Sequence, residues 1–190
     1  MNDEINVILA SASPRRKELL KMLYADFRIF PTDIDESFPE KLDSYEVAEY
    51  LSVKKAKSIN ANNSLVIACD TVVIADGKIL GKPESCEDAV RMLSALSGKA
   101  HDVVTGVCLS YNDRTLSFSQ KTSVEFYKLS QNEISAYVMT GEPMDKAGAY
   151  GIQGLGGLFV KKIDGDFYNV VGLPVARLKR EIVNFLKAVL

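Results

Sequence analysis

The stretch Val7-Ile8-Leu9-Ala10-Ser11-Ala12-Ser13-Pro14-Arg15-Arg16-Lys17-Glu18-Leu19-Leu20 decides how this chain is read. An apolar run passes into small hydroxyl residues, a proline and three consecutive cations. That is the order of a buried strand, a tight turn and a helix start. Ser13 is a preferred N-cap, and Pro14 suits the first helical position, where its missing N–H costs nothing. Leu19, Leu20 and Leu23 then fall on one helical face. Such a turn gathers N–H groups, the hydroxyls of Ser11 and Ser13, and Arg15, Arg16 and Lys17 beyond the carboxyl end of a strand, a setting that suits a phosphate. A helix dipole supplies only about 0.3–1 kcal/mol, so the arginines must carry most of any affinity. The same residues could equally make a capped helix with a solvated basic face. Neither G-x-x-x-x-G-K-[ST] nor G-x-G-x-x-G is present, which excludes the P-loop and dinucleotide fingerprints.

The whole chain sets the frame. At 190 residues and 47% hydrophobic content, it is expected to form a single domain over 1–190. A net charge of −2 gives no global basic field, so neither general nucleic-acid binding nor a membrane partner is expected. No apolar run approaches a membrane span, and Met1 to Glu4 leads directly into the first strand, so the protein is expected in the cytoplasm. Cys69, Cys86 and Cys108 are widely spaced without a C-x-x-C pair and read as reduced core thiols.

Working outward, Phe27-Arg28-Ile29-Phe30-Pro31 reads as a short strand entering Thr32-Asp33-Ile34-Asp35-Glu36-Ser37. Asp35 and Glu36 in that acidic loop are of the type that holds Mg²⁺ or Mn²⁺, although such loops are commonly just solvated. Asp43 with Glu46 predicts a capped helix over about 44–60, bearing Lys54, Lys55 and Lys57. Leu65 to Ile74 is the central strand, interrupted by Asp70. A charge inside such a run is costly unless it is paired, metal-bound or at a strand end. Asp76-Gly77 predicts a hairpin in which Ala75 faces Lys78 and Thr71 faces Lys82, bringing a cation level with Asp70.

Ser85 and Asp88 open a helix that buries Ala89, Met92, Leu93 and Leu96 and stops at Gly98. His101, the single histidine, reads as structural. Val103–Tyr111 and Thr122–Phe126 read as strands, and Ser130 with Glu133 as a capping box before a helix that ends near Gly141. From Gly148 to Gly157 there are five glycines, at 148, 151, 154, 156 and 157, so the backbone must pass close to something there. Tyr150, Ile152 and Gln153 within that segment read as a pocket lining. Leu158–Ile163 and Phe167–Val171 read as a hairpin around Asp164-Gly165, and Val175, Leu178, Ile182, Phe185 and Leu186 stripe a final helix. Crossovers mixed with hairpins argue for a mixed α/β sheet.

With these segments laid out, the chain resembles the Maf family of nucleoside triphosphate pyrophosphatases over nearly its whole length. The residues that carry the resemblance are Leu9-Ala10-Ser11-Ala12-Ser13-Pro14-Arg15-Arg16, Asp33-Ile34-Asp35-Glu36, Asp70-Thr71-Val72-Val73, Gly81-Lys82-Pro83, Asp145-Lys146-Ala147-Gly148-Ala149-Tyr150-Gly151-Ile152-Gln153-Gly154 and Asn169-Val170-Val171-Gly172-Leu173-Pro174. The resemblance implies an α/β fold, an elongated mixed β-sheet flanked by helices, similar to inosine triphosphate pyrophosphatases. It implies hydrolysis of a nucleoside triphosphate to the monophosphate and pyrophosphate with a divalent metal, Mg²⁺ or Mn²⁺. The segment from Asp145 to Gly154 is similar to the branch acting on dTTP and UTP. By the same resemblance Asp70 is the proton acceptor, and Arg15, Thr71 and Gln153 set base selectivity.

Cleavage between the α and β phosphates needs a water aimed at phosphorus and cations spread over the phosphate oxygens. Ser11, Ser13, the helix N-terminus, Arg16, Lys55 and Lys82 are the candidate phosphate cradle; Asp35, Glu36 and Asp70 are the candidate metal ligands. Uracil and thymine present an acceptor-donor-acceptor edge that the Gln153 amide can match. The expected partner is the nucleoside triphosphate, with a homodimer as the assembly considered. A haloacid dehalogenase-type phosphatase would need a second Asp at the position of Val72. A non-catalytic nucleotide-binding regulator of septum formation is the alternative reading.

Overall fold

The computed structural model describes residues 5–190. Strand β1 (Asn6–Ala10) is buried from Val7 onward, and helix α1 (Pro14–Leu20) starts as its sequence predicts: Ser13 is the N-cap and its side chain accepts the Arg16 N–H. Leu19 and Leu20 are buried; Leu23 lies past the helix end. Strand β2 (Arg28–Ile29) runs parallel to β1, with Ile8 opposite Arg28. Helix α2 (Val47–Lys57) then returns the chain to β3 (Ser64–Ala75), also parallel to β1, with Ile8 opposite Val66 and Leu9 opposite Ile67. Parallel neighbours need such crossovers, and β3, buried almost throughout, reads as the continuous apolar run expected of them.

Beyond β3 the chain makes hairpins. Asp76 and Gly77 both take positive φ, 49° and 75°, and set β4 (Lys78–Leu80) antiparallel to β3 with Ala75 opposite Lys78, the predicted register. Helix α3 (Cys86–Leu96), capped by Ser85, buries Ala89, Met92, Leu93 and Leu96. Strands β5 (Ala100–Tyr111) and β6 (Arg114–Phe126) follow, then α4 (Gln131–Met139), whose Ser130–Glu133 capping box is formed. Strand β7 (Val160–Asp164) is antiparallel to β6, and α5 (Phe167–Val171) and α6 (Val175–Val189) close the chain. The strands pair in the order β2-β1-β3-β5-β6-β7 with β4 also on β3, a seven-stranded sheet. Parallel and antiparallel pairs occur together, so the expected mixed α/β sheet is present.

The structure corrects several local expectations. Helix α2 begins at Val47 without a side-chain cap, because the Asp43 carboxylate instead accepts the N–H of Tyr45 at 2.9 Å in a local turn. Strand β6 begins at Arg114 rather than Thr122; its polar first half alternates too weakly to signal a strand. Phe167–Val171 is helical rather than the second arm of a hairpin. Asp166 accepts the Tyr168 N–H at 2.8 Å, and fully buried Asn169 donates to Val103 O and Thr122 Oγ1, so tertiary anchors override a β-prone composition. Cys69 and Cys108 are buried, their thiols pushed up to about 11 and about 12 by burial, but Cys86 is exposed at the start of α3.

The described residues group into two compact units. One contains residues up to Asp70 with Thr105–Gln120 and Gly172–Leu190; the other contains Thr71–Val104 and Lys121–Val171. The first has a core of Ile8, Ala10, Ala56, Val66, Ala68 and Cys108. In it β5 lies so close to α2 that a Cβ on Gly106 would stand 2.2 Å from the Ala48 carbonyl carbon. The second unit is built on Leu93, Phe126, Tyr137, Tyr150 and Phe159, with the aromatic rings edge to face. His101 belongs to this core: its Nε2 lies 2.9 Å from Tyr150 Oη, and burial pushes its pKa down to about 4. It is the structural residue that the sequence suggests. Tyr150 likewise belongs to this core. Among the described residues no helix is long and apolar enough to cross a membrane.

Candidate active site

In the first unit, the turn after β1 is held by its own side chains. Ser11 Oγ accepts the Ser13 N–H at 3.3 Å and Arg16 Nη1 at 3.2 Å, while Arg16 Nε donates to the Gly172 carbonyl at 2.9 Å. Ser11 is buried, Ser13 half-buried, and Arg15 and Arg16 half-buried. Arg16 is therefore an anchored guanidinium, oriented by the turn it follows and by the segment that leads into α6. Helix α1 has only seven residues, which leaves the charge at this turn to the side chains.

Lys55 and Asp70 form the second cluster of this unit. Helix α2 buries Ala48, Leu51, Ser52, Lys55 and Ala56, positions that share one face at helical spacing, so Lys55 points where an apolar residue would. Its Nζ donates to Asp70 Oδ1 at 2.5 Å and stands 2.9 Å from Glu36 Oε1. Lys55 and Asp70 side chains keep 11% of their exposure and Glu36 keeps 60%. The carboxylate inside the apolar strand thus has its cation, and that cation comes from α2. The predicted Lys82 does not supply it through strand pairing: the β3–β4 ladder ends at Val73 opposite Leu80, and Lys82 is exposed beyond it.

Of the expected metal ligands, Glu36 and Asp70 converge on one ammonium. Asp35 is engaged elsewhere: Ser37 donates to it through N–H and Oγ, and Lys54 Nζ lies 3.5 Å away. These Ser37 hydrogen bonds hold the Asp35 carboxyl below its ordinary range. Among the described residues no group of three or more His, Cys, Asp or Glu is gathered for a metal. Glu36 and Asp70 are the carboxylates that could hold a Mg²⁺-type ion, which commonly takes one or two protein carboxylates and completes its shell with phosphate oxygens and water, but the Lys55 ammonium occupies the point on which they converge.

In the second unit, Thr71 follows Asp70 on β3 and so faces the other side of the strand. The Gly148 N–H donates to the Gly81 carbonyl at 3.0 Å, pinning the glycine segment to the residue before Lys82. A Cβ at Gly148 would meet both Val73 methyls at 3.0 Å, and its φ is +68°, so glycine is needed there on both counts. The segment is not a free loop but short 3-10 turns at Glu142–Asp145, Ala147–Ala149 and Leu155–Phe159. Between the last two, Gly154 N–H donates to Gly151 O at 3.3 Å, and this tight turn carries Ile152, half-buried, and Gln153, exposed. Glu142, in a Gly-Glu-Pro run that reads only as a helix breaker, accepts the N–H groups of Leu155 and Gly156 just past this turn, contacts that sequence reasoning misses.

Comparison with known proteins adds an independent line. The family described as Maf-like protein matches residues 6–185. The dTTP/UTP pyrophosphatase of Thermosipho africanus is 51% identical over 174 residues, covering 92% of this chain and 90% of that protein. The dTTP/UTP pyrophosphatase of Bacillus anthracis is 45% identical over 181 residues, covering 94% and 95%. Among solved structures, the Ham1 protein of Coxiella burnetii aligns at a TM-score of 0.49 and 13% identity over 95% of this chain and 99% of that one. The Ham1 protein of Staphylococcus aureus aligns at 0.45 and 20% over 64% and 71%. Those two structural likenesses are too loose to carry an argument. The family match spans nearly all of the described chain, and two relatives at about half identity are covered almost end to end: the chain belongs to the Maf-like protein family.

Proposed function

We propose that this protein hydrolyses dTTP and UTP, and modified pyrimidine triphosphates of the same hydrogen-bonding edge, to the monophosphate and pyrophosphate. The observation that carries the reading is the Lys55–Asp70 pair, a buried acid at the start of an apolar half-strand with an ammonium fixed on one oxygen. The names of relatives at 51% and 45% identity support the substrate class. In the proposed reaction a water oxygen bonds to the α phosphorus, the bond to the bridging oxygen breaks, and pyrophosphate leaves. Asp70 takes the water proton. Lys55 keeps the Asp70 carboxylate oriented, and Ser11, Ser13, Arg16 and Lys82 are assigned to phosphate oxygens. Glu36 and Asp70 are the carboxylates that would hold a divalent cation, Mg²⁺ or Mn²⁺. When bound, that ion offsets negative charge on the phosphates.

Arg15, Thr71 and Gln153 are assigned to the base. A Gln amide accepts from N3–H and donates to a ring carbonyl at once, and a donor-only group such as Arg15 forbids the flipped amide that would accept cytosine. Sites that hydrogen-bond their substrate discriminate by up to around 10⁴-fold. We infer one working unit over 1–190, which the family match across 6–185 supports, and we place the activity in the cytoplasm.

The test is a panel of nucleoside triphosphates with Mg²⁺ or Mn²⁺, following monophosphate and pyrophosphate separately, for the native chain and Asp70→Asn. Pyrophosphate from dTTP and UTP with a nearly inactive variant is the expected result. Orthophosphate as first product would refute the reaction, and binding without cleavage would leave a nucleotide-binding regulator of septum formation.

A further inference from the structure

Three hydrogen-bond donors from different parts of the second unit converge on one carboxylate. Tyr137 Oη, on α4, donates to Glu142 Oε1 at 2.9 Å; the Leu155 N–H donates to Glu142 Oε2 at 3.0 Å and the Gly156 N–H to Oε1 at 3.2 Å. The same Tyr137 hydroxyl accepts the Gly151 N–H at 3.3 Å. The entry and exit of the Gly151–Gly154 turn are therefore tied to one Tyr–Glu pair, and Gln153 sits on the span between them. Glu142 is itself held from behind, since Lys146 Nζ donates to its carbonyl at 2.6 Å.

The glycines report how tight this arrangement is. A Cβ on Gly154 would stand 2.4 Å from Glu142 Oε1, on Gly156 2.7 Å from Tyr137 Oη, and on Gly157 2.4 Å from Ile152 O. On Gly151 it would stand 2.6 Å from Lys146 Cε. The glycine run lets the backbone wrap directly around the Tyr137–Glu142–Lys146 group, and that group leaves the turn little freedom to shift. Only an acceptor at both oxygens satisfies all three donors. Burial alone would raise the Glu142 carboxyl, but the Leu155 and Gly156 N–H groups with Tyr137 and Lys146 bring it below its ordinary range, so it stays ionised at neutral pH.

We infer that Glu142, with Tyr137, is the positioning residue that fixes the Gln153 turn and so sets base selectivity without touching the nucleotide. The inference rests on the proposed role of Gln153 in pyrimidine triphosphate hydrolysis. A reading group must be held to a fraction of an ångström, and a misplacement near 1 Å costs up to about a hundredfold.

The experiment measures kcat and KM for dTTP and CTP, and inhibition by inorganic triphosphate, in the native protein, Glu142→Gln, Tyr137→Phe, Gln153→Ala and the Glu142→Gln/Gln153→Ala double variant. The Gln amide presents an NH2 to one backbone N–H, so Glu142→Gln is expected to lower the dTTP-to-CTP ratio of kcat/KM by roughly tenfold or more, chiefly through KM for dTTP. Inhibition by inorganic triphosphate, which has no base, stays unchanged, and the double variant discriminates no worse than Gln153→Ala alone. Tyr137→Phe shows the same pattern and decides the matter if Glu142→Gln does not fold. Unchanged discrimination in the folded Glu142 and Tyr137 variants, alongside its loss in Gln153→Ala, overturns the inference and leaves the proposed function standing. Intact discrimination in Gln153→Ala overturns it at its premise. A native protein that releases no pyrophosphate from dTTP or UTP refutes the proposed function itself, and the inference with it.

Discussion

Lys55 Nζ and Asp70 Oδ1 lie 2.5 Å apart, and the two side chains are equally shielded from solvent. Neither the α2 pattern nor the β3 pattern explains a charge at its own position; each explains the other. A pair of this kind is expensive to break from one side, because the remaining charge stays buried.

Lys55→Met is therefore expected to destabilise the fold by about 3–5 kcal/mol, the range for leaving a buried charge alone. Asp70→Asn costs less, since Lys55 retains Glu36 at 2.9 Å. The double variant Lys55→Met/Asp70→Asn removes both charges and recovers much of the loss while remaining inactive. Urea unfolding with pyrophosphate release checks this. A double variant whose loss equals the sum of the two single losses would show that the pair is not energetically coupled.

Gly106 offers a sharper stability test. A Cβ there would meet Ala48 C and O at 2.2 Å and Glu49 N at 2.3 Å, all backbone atoms of α2 that cannot rotate away. Gly106→Ala should cost about 3 kcal/mol or more by overpacking, a fall of roughly 6–12 °C in Tm for a chain of this size. At Gly81 a Cβ would meet nothing within 4 Å, so Gly81→Ala is the control, expected within about 0.5 kcal/mol. Similar melting of the two variants would contradict the close approach of β5 to α2.

Sequence signals were legible where local chemistry decides the structure. Ser13-Pro14, Ser85, Ser130–Glu133 and Asp76-Gly77 each impose their own geometry, and the structure has each as read. Asp70 stood out because an acid in an apolar run demands a partner. The partner itself was hidden: hairpin counting reaches Lys82, whereas the contact is made by a residue on a crossover helix, and no local rule fixes that. A trace remained in Lys55 falling four residues after buried Leu51. Phe167–Val171 misled because its β-prone residues are held as a helix by contacts to Val103 and Thr122. Glycine density showed that the backbone comes close to something after Gly148, but not that the neighbours are Tyr137, Glu142 and Lys146.

Asn169 tests that override. Its Nδ2 donates to Val103 O at 3.0 Å and Thr122 Oγ1 at 2.9 Å, with no exposure at all. Asn169→Ala leaves both acceptors without this donor and opens a small cavity, a loss of about 2–3 kcal/mol. Asn169→Asp should cost more, because a carboxylate would face the two oxygens. Denaturant melts compare them, and an Asp variant as stable as the native chain would show that Asn169 does not fasten α5.

His101 sets the acid side of the stability profile. Its pKa falls from 6.5 to about 4 because burial against Phe126 and Tyr150 disfavours the charged ring, with Asp102 opposing weakly. The unfolded chain therefore binds a proton between pH 6.5 and 4 that the folded chain refuses, and stability rises with pH through that window. The contribution is complete above pH 6.5 and is lost as the pH falls towards 4, by roughly 3 kcal/mol in all. His101→Gln, which can still hydrogen-bond Tyr150 Oη but does not titrate, should be less stable than the native protein at pH 7.5 and show a flatter profile from pH 6.5 to 4. Thermal melts across that range measure both slopes, and parallel profiles would place the acid sensitivity in other groups.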